Sequence, residues 1–165
     1  MKFRQASNED WAGIWPIVRE VVATGETYTW SPTMDEAAGR TAWMLPAPAE
    51  VWVATDDDGT VIGTAMLRPN YPTLGDHVAN ASFMVPASAG GRGVGRALAE
   101  RIIERARELG FRSMQFNAVV STNTRAVALW RSMGFEVVGT SPGAYRHATL
   151  GYVDLLIMFR DLTKP

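Results

Sequence analysis

The sequence predicts an α/β domain on a mixed sheet, and three observations carry that prediction. Segments with helical spacing alternate with short apolar runs in the order β-α-α-β-β-β-α-β-α-β-β. The middle of the chain reads strand, glycine loop, helix, strand from Val78 to Val120, a right-handed crossover that makes strands four and five parallel neighbours. Asp56-Asp57-Asp58-Gly59 is a hairpin turn, and the remaining strand order also reads as hairpins, hence antiparallel. The chain of 165 residues shows no repeat, linker or low-complexity segment, so residues 1–165 read as one domain.

Each element has its own signal. Phe3 to Ala6 is a short first strand, and Ser7 or Asn8 caps the next segment. Trp11, Ile14, Trp15, Val18, Val21 and Val22 recur at helical spacing, giving a helix to about Thr24, with Pro16 predicting a kink or an earlier break. Gly25 to Pro32 is a loop rich in hydroxyls and aromatics. Thr33 then caps a second helix from Met34 to about Leu45, closed by Pro46 and Pro48. Val51 to Thr55 and Thr60 to Leu67 are the arms of the hairpin. A loop from Arg68 to His77, with Pro69, Asn70, Tyr71 and Pro72, leads to the fourth strand, Val78 to Val85. Val94, Leu98, Ile102, Ala106 and Leu109 share one face of a helix from Gly93 to Leu109, which Gly110 stops. Ser113 to Val120 is the fifth strand. Thr122 or Asn123 opens a fourth helix that ends at Gly134. Phe135 to Thr140 is the sixth strand, Tyr145 to Thr149 lie in a loop, and Leu150 to Phe159 is the last strand.

Composition excludes several chemistries. With no cysteine there is no disulfide, thiolate metal site or thiol nucleophile, and no metal site is expected. A net charge of -1 gives no reason to expect nucleic acid or an anionic membrane as partner. No apolar run approaches the roughly 18 residues of a membrane span. Met1-Lys2-Phe3-Arg4-Gln5 turns polar at once and shows no signal-peptide pattern, so a cytoplasmic location is expected.

The sharpest feature is Ala89-Gly90-Gly91-Arg92-Gly93-Val94-Gly95-Arg96. It lies between the fourth strand and a helix N-terminus. Glycines let the backbone approach an anion, the first helical turn offers unpaired N–H groups, and Arg92 and Arg96 add charge. A P-loop would need Gly-Lys-Ser/Thr, and no lysine is present in the loop. A Rossmann site would need a third glycine where Arg96 stands, and a place near the start of a β-α-β run.

The loop resembles the R/Q-x-x-G-x-G/A acyl-CoA loop of the GCN5-related N-acetyltransferase (GNAT) superfamily, with Gly90 in place of the usual Arg or Gln. Asn123-Thr124-Arg125-Ala126 to Leu129-Trp130, ending in Gly134-Phe135, resembles the same family's N-x-x-A-x-x-L-Y-x-x-x-G-F signature. The element order matches along essentially the whole chain. Asn80, Asn117, Asn123 and Gly25-Glu26-Thr27-Tyr28 further resemble the phosphinothricin-type and proline-analogue acetyltransferases.

The resemblance implies a mostly antiparallel sheet whose parallel strands four and five splay around acetyl-CoA, used as co-substrate. Pyrophosphate would rest on Gly91, Arg92, Gly93, Val94, Gly95 and Arg96. The pantetheine arm would pair with Phe83, Met84 and Val85, and Asn123, Ala126 and Trp130 would line the CoA arm. Asn123 is equally a helix cap. Asn80 and Asn117 would orient a small amine substrate beside the thioester, or satisfy local backbone groups. Tyr28, Trp30, Tyr71 and Tyr145 would wall the acceptor pocket or simply pack.

The implied reaction is direct attack of an amine on the thioester, with no cysteine-linked acyl-enzyme. Glu26 is the first candidate for the base, followed by His77 and His147, then Asp154. The family's usual tyrosine acid is replaced by Trp130, whose indole is no usable acid, so Tyr145 serves or the thiolate leaves unassisted. The acceptor is expected to be an amino acid, an amino-acid analogue or a xenobiotic amine. The alternatives are a CoA-binding regulatory module and a protein N-terminal or lysine acetyltransferase. By analogy with relatives, two copies could pair through the apolar final strands as a homodimer.

Overall fold

Strands buried on both faces carry unbroken apolar runs, and Val51-Trp52-Val53-Ala54 is such a run. In the computed structural model, which describes residues 1–164, this run lies inside a single sheet. The elements are β1 (Lys2–Gln5), α1 (Trp11–Ala23), α2 (Glu36–Trp43), β2 (Glu50–Thr55), β3 (Val61–Pro69), β4 (Val78–Met84), α3 (Val94–Glu108), β5 (Ser113–Val120), α4 (Thr124–Ser132), β6 (Glu136–His147) and β7 (Gly151–Asp161). The sheet order is β1-β2-β3-β4-β5-β7-β6, and β4–β5 is its parallel pair.

Period-two alternation divides the core. Val51, Val53 and Met66 face α1 and α2, where they meet Ile14, Val18, Val22 and Trp43. Trp52, Ala54, Ala65 and Leu67 face the opposite way and join Leu98, Ile102, Met114, Trp130 and Phe135. Trp43 is fully buried, and its indole Nε1–H donates to Thr64 Oγ1 at 3.0 Å. Thr64 in turn donates to the Trp52 carbonyl at 3.0 Å, so this buried hydroxyl is satisfied both as acceptor and as donor.

The structure corrects three sequence readings. The second helix starts at Glu36 instead of Met34: Asp35, not Thr33, is its cap, and its Oδ1 accepts the Ala38 N–H at 2.8 Å. A carboxylate is the stronger cap, and its charge also suits the positive helix end. The first helix runs unbroken through Pro16, after a short 3-10 turn at Asn8–Asp10. Tyr145 and His147 belong to β6 and not to a loop. Ser141-Pro142-Gly143 reads as a break because Pro142 has no N–H for the ladder. The chain instead bulges between Ser141 and Tyr145, and Asp154 Oδ1 accepts the Gly143 N–H at 2.9 Å, so pairing resumes at Tyr145 and Val153.

Replacing Thr64 by Val keeps the shape but strands the Trp43 N–H in the core. The expected loss is about 1–3 kcal/mol of unfolding free energy, read from urea denaturation with an unchanged m-value.

Candidate active site

Strands β4 and β5 pair at only two positions, Val78 with Ser113 and Ala79 with Met114, and then separate. Aromatic side chains hold them apart. Phe116 stacks on Phe135 at a centroid distance of 4.4 Å, and Trp130 sits 4.8 Å from Phe116 and 5.1 Å from Phe83. Trp130 comes from α4, so this helix is wedged behind the opening. On β5 a bulge between Phe116 and Val119 carries Asn117 and Ala118 to the surface of the gap. The resulting cavity, about 780 Å³, runs from Arg68 and Asn80 at one end to Gly90, Asn123 and Arg125 at the other.

The narrow end is polar. Asn80 is the first residue of β4 beyond the last β4–β5 pair. Its Nδ2 donates to Asn70 Oδ1 at 2.9 Å, and Asn117 Nδ2 donates to the same oxygen at 2.7 Å. Asn117 Oδ1 accepts from Gln115 Nε2 at 2.9 Å. Asn70 is buried, and sequence reasoning missed it: Pro69-Asn70-Tyr71-Pro72 carries only turn signals. Arg68 is the cross-strand partner of Asn80 and lines the same cavity. Among the described residues no acid pairs with its guanidinium.

Tyr28 and Trp30 line the cavity from the loop after α1, with ring centroids 5.5 Å apart. The Tyr28 hydroxyl accepts the Phe83 N–H at 3.1 Å and donates to the Phe83 carbonyl at 2.9 Å. It thus satisfies both backbone groups of a residue at the separating strand edge. Burial pushes the Tyr28 phenol far above its ordinary pKa, so it remains neutral. Tyr145 lies behind it, buried, with its hydroxyl donating to the Tyr28 carbonyl at 3.1 Å, and it is not part of the cavity wall. Burial, and then the charge of Glu26, raise the Tyr145 pKa. Tyr71 is exposed and lines a separate groove on the far side of Arg68.

At the wide end, Phe83, Met84 and Val85 form one wall and Asn123, Ala126 and Trp130 the other. Asn123 caps α4, its Oδ1 accepting the Ala126 N–H at 3.2 Å. Gly91 and Gly93 adopt φ of 76° and 75°, the left-handed region that glycine enters freely. The first backbone bond of α3 runs from Ala97 N–H to the Gly93 carbonyl, which leaves the N–H groups of Val94, Gly95 and Arg96 without helical partners. Gly90 has a local cause: a Cβ there would come within 2.9 Å of the Ala87 carbonyl oxygen. A side chain here, such as the Arg or Gln of the family pattern, would require the tight Ala87–Ala89 turn to shift. Arg92 pairs with Asp56 at 2.8 Å and holds that carboxyl below its usual pKa range, while Arg96 donates to Ser132 Oγ at 2.8 Å. Both guanidiniums are about half exposed.

Of the candidate bases, Glu26 alone lines this cavity among the described residues. His77 faces the separate groove. His147 Nδ1 accepts the Thr149 N–H at 3.2 Å, and Asp154 is engaged with Gly143. The described residues contain no grouping of three or more His, Cys, Asp or Glu suited to a metal ion, and no helix long and apolar enough to cross a membrane.

Replacing Tyr28 by Phe removes the shared partner of the Phe83 N–H and carbonyl. The expected loss is about 1–3 kcal/mol of stability, and the Phe83 amide should exchange with solvent at least tenfold faster, as read by hydrogen–deuterium exchange.

Residues 15–135 match the profile of the Acetyltransferase (GNAT) family. N-acetyltransferase aca1 of Schizosaccharomyces pombe is 34% identical over 113 residues, 68% of this chain. That match spans about half, 54%, of the yeast protein's length. The L-methionine sulfoximine/L-methionine sulfone acetyltransferase of Pseudomonas paraeruginosa is 32% identical over 84% of this chain and 82% of its own. Among solved structures, a GCN5-related N-acetyltransferase from Kribbella flavida superposes with a TM-score of 0.92 at 51% identity, covering 97% of this chain and 96% of that one. A phosphinothricin acetyltransferase from Sinorhizobium meliloti, solved in complex with acetyl-CoA, gives 0.85 at 27% identity over 97% of this chain and 87% of that one. A sheet parted at β4 and β5, an open helix N-terminus beside the gap and these likenesses in sequence and shape agree: the chain belongs to the Acetyltransferase (GNAT) family.

Proposed function

We propose that the protein is an acetyl-CoA-dependent N-acetyltransferase acting on a small α-amino acid or a close analogue. The observation that carries the acceptor class is the polar end of the cavity. The Arg68 cation stands cross-strand from the amide of Asn80, whose Oδ1 accepts no hydrogen bond among the described residues. Cross-strand partners hold their Cβ atoms about 4.5–5.5 Å apart. A cation beside a hydrogen-bond acceptor at that spacing complements a carboxylate beside an amine. The naming of the Pseudomonas relative for two amino-acid analogues supports the same class.

The residues at the wide end fit acetyl-CoA. The open N–H groups of Val94, Gly95 and Arg96 would hold the pyrophosphate, with Arg92 and Arg96 free to turn toward it. Met84, Val85, Asn123 and Ala126 would border the pantetheine arm. Bound there, acetyl-CoA supplies an activated acyl group. The chain's own part is then to orient the amine, accept a proton and exclude competing water. Asn80 and Asn117 orient the amine, Arg68 anchors the carboxylate, and Glu26 takes the proton directly or through water. The amine nitrogen bonds to the carbonyl carbon, the C–S bond breaks, and the products are the N-acetyl compound, the free thiol and one proton. A cytoplasmic location accords with such a co-substrate.

The test is turnover of acetyl-CoA with a panel of amino acids, methionine sulfone and sulfoximine, phosphinothricin and proline analogues, together with the decarboxylated amines, followed by thiol release. Turnover confined to carboxylate-bearing amines is expected; turnover of none of them, with CoA bound tightly, would select a regulatory CoA-binding module instead. Arg68→Met should raise the KM for the amino acid about 10- to 100-fold, the equivalent of one charge-assisted hydrogen bond. The KM for acetyl-CoA should stay within twofold.

A further inference from the structure

Asn70 stands outside every sequence motif of this chain, yet it lies at the point from which the gap opens. Its backbone N–H donates to the Val78 carbonyl at 2.7 Å, fixing it beside the first β4–β5 pair. The residue is 8% exposed. Its one carbonyl oxygen accepts from Asn80 at 2.9 Å and from Asn117 at 2.7 Å, one amide from each diverging strand. The backbone ladder between β4 and β5 has already ended at Ala79 and Met114, so this oxygen continues the connection through side chains.

The arrangement is more demanding than stability requires. Asn70 Nδ2 is buried with no partner, which a protein selected for stability alone would avoid. An amide oxygen has two lone pairs, and both are occupied here. Each neighbouring amide must therefore present its nitrogen to Asn70 and its oxygen elsewhere. Asn117 Oδ1 accepts from Gln115 with one of its two lone pairs. Asn80 Oδ1 is left as the acceptor at the cavity, cross-strand from Arg68.

We propose that Asn70 is a positioning residue for acetyl transfer: its Oδ1 clamps the amides of Asn80 and Asn117 across the opening between β4 and β5, and so aims Asn80 Oδ1 at the acceptor amine. The inference rests on the N-acetyltransferase reading for its kinetic consequence, but the clamp itself is observable without turnover. Asn70 acts through Asn80 and touches no substrate. Its loss changes the orientation of the amine and leaves the distant acetyl-CoA site alone.

Two substitutions separate the roles. Asn70→Leu keeps the volume and removes the acceptor. Asn70→Asp keeps an acceptor oxygen for both amides and removes the orphaned NH2. With the amine identified by the substrate panel, N70L should lower kcat about 10²-fold, the scale of an ångström-level misplacement, with the KM for acetyl-CoA within twofold of wild type. N70D should keep at least a third of the wild-type kcat. In ¹⁵N-resolved spectra the side-chain NH2 pairs of Asn80 and Asn117, assigned by Asn80→Ser and Asn117→Ser, should exchange slowly in the wild type and in N70D, and fast in N70L. The proposal is overturned if N70L keeps kcat within twofold, if N70D falls as far as N70L while retaining its Tm, or if the two NH2 pairs exchange fast in the wild type. Should N70L fail to fold, N70D and the wild-type exchange rates still decide it. If the wild type turns over no amine while both NH2 pairs are protected, the clamp stands and the enzymatic reading falls.

Discussion

The structure depends on one separation: β4 and β5 hold together through two residue pairs and then part, inside a sheet that is otherwise continuous. Parting two central strands exposes backbone N–H and carbonyl groups, and such groups are rarely left unpaired. The surrounding sequence supplies replacements. The Tyr28 hydroxyl takes both backbone groups of Phe83. The Asn70 oxygen joins Asn80 to Asn117. Trp130, Phe116 and Phe135 fill the apolar volume behind the gap, so it does not collapse. The remaining groups of β4 and β5 border the cavity and are available to a ligand.

The same separation gives the cavity its polarity. Its wide end reaches Gly90, and the left-handed Gly91 and Gly93 lead from there into the α3 N-terminus with its unpaired N–H groups. Its narrow end meets Arg68 and the amide cluster. The basic residues near the loop rest on weak partners: Arg92 on Asp56 of the β2–β3 turn, and Arg96 on Ser132 at the end of α4. Both partners are surface groups, and solvent screening makes their hold on a guanidinium weak. In the proposed complex a phosphate at the helix terminus would compete with them. Beyond closing the hairpin, the turn thus also holds Arg92, through Asp56.

The features legible in the sequence are those that rest on local chemistry. The glycine loop, the Asn123 cap, the hairpin turn and the face of α3 are each written within a few residues, and the structure places them accordingly, except that Leu109, read as part of that face, follows the helix and is exposed. Asn80 and Asn117 are legible as polar residues in strands that could not be left without partners. Their common partner is not, because Asn70 lies between two prolines in what reads as a plain turn, and its meaning comes from a contact 47 residues away in sequence with Asn117. Tyr145 reads as a loop residue because Pro142 and Gly143 conceal a bulge that Asp154 repairs from the next strand. Gly90 departs from the family pattern with no reason visible in the sequence, and the Ala87 carbonyl supplies one.

Trp130 shows how the wedge limits the chemistry. Its ring contacts Phe83 and Phe116 at once, and it is 8% exposed. A smaller phenol in this position would offer a proton but leave part of the wedge unfilled. The indole fills it and offers no acid. Tyr145, the other candidate, is turned toward the Tyr28 carbonyl, and burial together with Glu26 raises its pKa. Tyr28 is held on Phe83 and kept neutral by burial. None of these groups is set to deliver a proton to a departing thiolate. A thiol of pKa near 8.5 leaves as the thiolate at modest cost near neutral pH, so the chain can give this position to packing. The demanding proton of the proposed reaction is the one on the acceptor amine, which is largely protonated at neutral pH and must lose it to attack. Glu26, Asn80, Asn117 and Arg68 all line the cavity, and they are the groups the proposed reaction would use on that amine.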